Sequence, residues 1–110
     1  MTDKIVVLST CANREQAESI ARRLVEQRLA ACVNLLAGVH SVFRWRGVVE
    51  EASEWLLVIK SRRAQFEALE AEIRRLHSYD VPEVLALTVV DGSPAYLDWL
   101  DQETSTEPGP

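Results

Sequence analysis

Ile5-Val6-Val7-Leu8-Ser9-Thr10-Cys11-Ala12-Asn13 is the stretch on which the fold turns. Ile5 to Leu8 is an uninterrupted β-rich run, the pattern of a strand central in a sheet or buried on both faces. Asn13 opens something different. Its side chain can accept a bond from an orphan helix amide while Gln16, three residues on, reaches back, the logic of a capping box. Ala17, Ile20, Ala21, Leu24 and Val25 then recur at helical spacing. Glu18, Arg22, Arg23 and Glu26 fill the solvated face, with Glu18 and Arg22 as a favourable i,i+4 pair.

The rest of the chain extends this strand-helix start. Ala31 to Leu36 reads as a second strand ended by Gly38, and a long β-prone stretch from Val39 to Arg46 follows with two alternating faces. Gly47 predicts an extra hairpin at Arg46-Gly47, returning through Val48, Val49 and Glu50. Trp55 to Ile59 is continuously apolar, a central strand. Ser61 is placed to cap a second helix that carries Phe66, Leu69, Ile73 and Leu76 on one face. Segment 77–83 breaks the periodicity, and Pro82 biases Val81 toward extended backbone. Val84 to Val90 reads as a fourth strand, and Ser93-Pro94 starts a short C-terminal helix over Tyr96 to Leu100. The order β-α-β-β-α-β predicts an α+β, ferredoxin-like sandwich over residues 1–103, with helices on one face of an antiparallel sheet. Residues 104–110, polar and holding two prolines, predict a flexible tail.

Composition bounds the function. The 110 residues suit one domain, and 47% hydrophobic with 26% charged residues is an ordinary globular balance. A net charge of −5 argues against nonspecific nucleic-acid binding, which depends on neutralising phosphates, and is compatible with cations. The run Ile5 to Leu8 is too short for a signal segment or membrane span, so a cytoplasmic location with reduced thiols is expected for Cys11 and Cys32. No Gly-rich phosphate loop or nucleophile elbow occurs, and no enzyme activity is expected. Phe43, Trp45, Trp55 and Trp99 offer more aromatic surface than two helices can cover, which predicts self-association.

Seven fragments in order resemble the CutA divalent-cation-tolerance family: Ser9-Thr10-Cys11, Arg28 to Asn34, Phe43-Arg44-Trp45, Gly47, Ile59-Lys60-Ser61, His77 to Glu83, and Tyr96-Leu97-Asp98-Trp99. Each fragment is weak alone; their order and spacing in a short chain are specific. The resemblance implies a homotrimer, similar in architecture to the PII signalling proteins, with strands paired between subunits along the hairpin from Phe43 to Glu50. It also implies a role in tolerance of copper and other divalent metals.

Cys11 and His77 match the positions that the family associates with metal. A Cys11 thiolate, its pKa lowered by the nearby helix N-terminus, would suit Cu(I) or Zn; otherwise Cys11 is a small residue closing the corner. His77 offers imidazole nitrogens for Cu(II) or Zn, or else a helix-end histidine favoured by the macrodipole. Here Ser78 stands where the family usually has proline. Glu83 is a third metal candidate, or an acceptor for loop amides or for a neighbouring subunit's arginine. Lys60, Tyr79 and Trp45 are candidates for a cleft that takes an anion, each with a plainer reading as strand-end lysine or interface aromatic. Cys32 is expected to be inert core, Asp80 a solvated loop residue, and His40 a surface or interface residue. One thiolate, one imidazole and one carboxylate leave a tetrahedral site incomplete, so any copper or other divalent ion is expected to be labile. Two functions follow: a trimer that binds and buffers metal, or a PII-like module whose clefts take a small anionic ligand or a protein partner.

Overall fold

Asn13 does cap a helix: its Oδ1 accepts the Gln16 N–H at 2.9 Å in the computed structural model, which describes residues 1–105. Behind it lies strand β1 (Lys4–Cys11), and ahead of it helix α1 (Arg14–Glu26). The chain continues through β2 (Cys32–Trp45), β3 (Val48–Arg62), a single 3₁₀ turn (Arg63–Gln65), α2 (Phe66–Leu76), β4 (Leu85–Thr88) and α3 (Pro94–Glu103). The strands form one sheet in the order β2-β3-β1-β4, every neighbouring pair antiparallel. This is a mixed α+β fold, and β1 is central, as its apolar run requires.

Alternation divides β1 and β3 into two faces. Ile5, Val7, Cys11, Leu57 and Ile59 face α1 and α2 and are almost wholly buried with Ile20, Leu24, Leu69 and Ile73. Burying each large aliphatic side chain of this kind contributes about 1.5–3 kcal/mol before the chain's ordering entropy is counted. The register Leu8↔Leu85, Val6↔Leu87 and Leu36↔Leu56 places these residues together on the opposite face. There Leu36, Leu85 and Leu87 are exposed. α3 reaches one corner of that side, where Asp101 pairs with Lys4 at 3.2 Å and Arg62 at 3.5 Å.

Several local expectations change. The expected second strand and extra hairpin are one element, because Gly38 does not end β2. The register shifts between Leu36 and Val39, and Gly38 (φ +77°) sits in that irregularity while β2 continues to Trp45. The result is a long two-stranded arm closed by Arg46 and Gly47, both at positive φ. Gln16 does not close its own box. Its amide instead bridges to the end of α2, donating to the Leu76 carbonyl at 3.0 Å and accepting the Ser78 N–H at 2.9 Å. Glu18 pairs with Arg14 at 2.8 Å rather than with Arg22. Ser61 is not a helix cap: it is a buried residue of β3 whose hydroxyl donates to the Leu29 carbonyl at 2.6 Å. β4 is shorter than Val84–Val90, although Val89 N–H still bonds the Lys4 carbonyl at 3.0 Å. Cys32 is half-buried on the edge strand rather than in the core. The expected tail does not begin at Thr104, which is buried and accepts the Gln65 side-chain amide on its carbonyl at 2.6 Å. Residues 106–110 of that tail lie outside the described residues.

Candidate functional site

Segment 77–83 leaves α2 at His77, whose backbone N–H still bonds the Ile73 carbonyl at 2.9 Å. The extended backbone of His77 then directs the chain toward the end of β1 and the root of the arm. His77 Nε2 lies 2.7 Å from the Thr10 carbonyl oxygen, and the Tyr79 N–H donates to His77 Nδ1 at 3.0 Å. The Tyr79 ring packs beside the imidazole with centroids 4.6 Å apart. Its hydroxyl donates to Glu54 Oε2 at 2.7 Å. Glu54, only 8% exposed, is the carboxylate that sequence reasoning missed. It looks like the end of the acidic stretch Glu50-Glu51, and its one distinguishing signal is its place directly before the apolar run at Trp55.

Cys11 ends β1 with its side chain in the core and no exposed surface. Burial, and secondarily the charge of Glu54, pushes its thiol up to about 11. That reverses the expected lowering by the helix end, since desolvation disfavours the thiolate. The Tyr79 phenol is also pushed up, first by burial and then by its bond to Glu54.

The remaining candidates are dispersed. Glu83 is exposed, with no hydrogen-bond or ion-pair partner among the described residues. Lys60 lies on the uncovered sheet face, opposite Cys32, and donates to Asn34. Trp45 is near the arm tip, partly exposed, with the Arg46 guanidinium 5.4 Å from its ring centroid. Asp80 is exposed and 4.0 Å from Arg46, and the exposed pair His40 and Glu51 meet at 2.8 Å across the arm. Trp99 lines a cavity of about 440 Å³ with Arg28 and Glu103. A groove of about 590 Å³ runs beside Trp55 between α1 and the edge of β2. Neither recess includes Cys11, His77 or Glu83.

The structure therefore brings Cys11, His77 and Tyr79 into one neighbourhood and leaves Glu83, Lys60 and Trp45 outside it. Among the described residues no three His, Cys, Asp or Glu side chains converge as a metal-binding group. A protonated buried thiol and an imidazole bonded at both nitrogens do not fit an ion in the chain as folded. No helix among the described residues is long and apolar enough to cross a membrane.

Comparison with known proteins gives these features a family. The profile of the family described as CutA1 divalent ion tolerance protein matches residues 5–103. Protein CutA, chloroplastic, of Arabidopsis thaliana is 46% identical over 100 residues, 91% of this chain but only 55% of that protein's length. The divalent-cation tolerance protein CutA of Thermus thermophilus is 46% identical over 99 residues, 90% of this chain and 96% of that protein. A solved structure described as the periplasmic divalent cation tolerance protein CutA of Archaeoglobus fulgidus superposes with a TM-score of 0.90 at 35% identity. It covers 93% of this chain and 99% of its own. With almost the whole described chain matched in sequence and backbone, this protein belongs to the CutA1 divalent ion tolerance family.

Proposed function

We propose that the chain serves divalent-cation tolerance as a cytoplasmic homotrimer, PII-like in architecture, whose inter-subunit clefts take a small anionic ligand or a protein partner. The observation that carries this reading is the surface a single chain leaves in water. The arm exposes Val42, Phe43, Trp45, Val48 and Val49, and the sheet face behind it exposes Leu36, Leu85 and Leu87. Apolar surface on this scale marks a partner, and closed cyclic symmetry covers it without open-ended growth. Lys60, Tyr79 and Trp45, scattered in one subunit, would line a cleft only where subunits meet. The assembly would be non-catalytic, and its effect on metal tolerance indirect.

Direct binding of copper or another divalent ion is the second reading, favoured by the nearness of Cys11 and His77 at the end of β1. Such an ion would be labile and completed by water or by groups across the trimer. Native mass spectrometry and thermal shift separate the readings. The first expects a mass of three chains, stabilised in chelator by an anion such as ATP or citrate. Stabilisation by Cu(II) or Zn(II) alone would select the second.

A further inference from the structure

His77 has two ring nitrogens and both are committed. The Thr10 carbonyl can only accept, so Nε2 at 2.7 Å must carry the proton and donate. The Tyr79 N–H can only donate, so Nδ1 at 3.0 Å must be the bare nitrogen that accepts. Together the two contacts select one neutral tautomer, with its single in-plane lone pair directed at a backbone amide. An ion at Nδ1 would leave the Tyr79 amide without its acceptor. An ion at Nε2 would expel the proton and strip the Thr10 carbonyl of its donor. Each orphaned group is half-buried and would lose a partner that solvent replaces only in part.

The same residues tie separate elements together. The imidazole fastens the end of α2 to β1, the Gln16 amide fastens it to α1, and the Tyr79 hydroxyl reaches Glu54 at the root of the arm. Glu54 pairs with Val39, the first residue past the irregularity in β2. The arm's departure point is thus held by the segment directly after α2.

We infer that His77 and Tyr79 form a clasp that locks the root of the β2–β3 arm to β1, and that this clasp, rather than a metal ion, uses the lone pair of His77. The inference concerns one folded chain and does not depend on its oligomeric state. His77 and Tyr79 are positioning residues, acting on the arm through Thr10 and Glu54.

Long-range ¹H–¹⁵N spectra of the full chain test it, with the exposed His40 as internal comparator. His77 is expected to show a protonated Nε2 and a bare, hydrogen-bonded Nδ1, unchanged when Zn(II) is added, while any Zn(II)-induced shift is confined to His40. A protonated Nδ1 in the neutral ring, or Zn(II) shifts at His77 itself, would overturn the inference. Tyr79→Phe supplies the second arm, since it removes the bond to Glu54 and leaves the imidazole contacts in place. Amide exchange around Val39 and Glu54 is expected to quicken about tenfold, while exchange in the buried part of α1 stays unchanged. Unaltered exchange at the arm root would sink the clasp even if the tautomer is as assigned.

Discussion

Ser9 and Cys11 stand two residues apart on the same face of β1, and each carries a polar atom into the core. The Ser9 hydroxyl is buried without a hydrogen-bond partner among the described residues. Ser9→Ala should therefore raise stability, by up to about 1 kcal/mol in urea denaturation, because an unsatisfied hydroxyl is removed with little change of volume. Cys11 predicts a pH dependence. Its folded-state pKa of about 11 lies above the ordinary thiol value of 9.0, so the folded state holds the proton longer than the unfolded chain. Stability is then fully present below pH 9 and falls as pH rises toward 11. Cys11→Ala should flatten that alkaline slope, read as midpoints of chemical unfolding across the range, with Tyr79 leaving a residual slope. The sequence left Cys11 either a metal thiolate or a small residue closing the corner, and its burial beside Ile5 and Val7 follows the second reading. What the local sequence could not convey is that burial outweighs the helix end, because full burial comes from packing by distant elements, with the charge of Glu54 adding to it.

At the scale of elements, periodicity located α1, α2 and the apolar stretches of the strands, and was least informative where a residue has two possible partners. Gln16 has capping-box spacing, yet its amide serves α2, a contact 60 positions away that no local pattern encodes. Ser61 has the chemistry of a cap, but the Leu29 carbonyl competes for its hydroxyl and β3 continues through it. Gly38 was the most consequential misreading. Glycine after an apolar run is ordinarily punctuation, whereas here its φ of +77° lets a long strand absorb an irregularity and go on. No atom lies near enough to clash with a methyl group there, so Gly38→Ala isolates the backbone cost. Denaturant melts should show a loss of about 1–2 kcal/mol, the left-handed penalty for a residue with a Cβ. A loss below 0.5 kcal/mol, on the order of experimental scatter, would show that the irregularity relaxes without glycine.

For the whole molecule, the sequence already implied that the sheet has one helical face and one bare face, since only two amphipathic helices flank the sheet strands. The identity of the residues on the bare face follows from the register, which brings Leu36 of β2 and Leu85 and Leu87 of β4 onto one surface. The candidate site was legible only as a neighbourhood: Cys11, His77 and Tyr79 do gather, while Glu83 does not. A charge on the bare face tests the assembly without disturbing the core. Leu87→Glu, at a half-exposed position of an edge strand, should lower the mass in light scattering from three chains toward one. Far-ultraviolet circular dichroism should stay unchanged, and a persistent trimer would remove this face from the interface.

The central place of β1 also governs the order in which the chain can fold. β1 is synthesised before its mates, since Val7 pairs with Ile59 on one side and with Ala86 on the other. A nascent chain must hold this apolar segment without a partner until β3 has been made. The β2–β3 hairpin, by contrast, needs only its own residues and closes early. The arm, exposed along much of its length, is thus the natural starting template, and the buried centre is laid onto it afterwards.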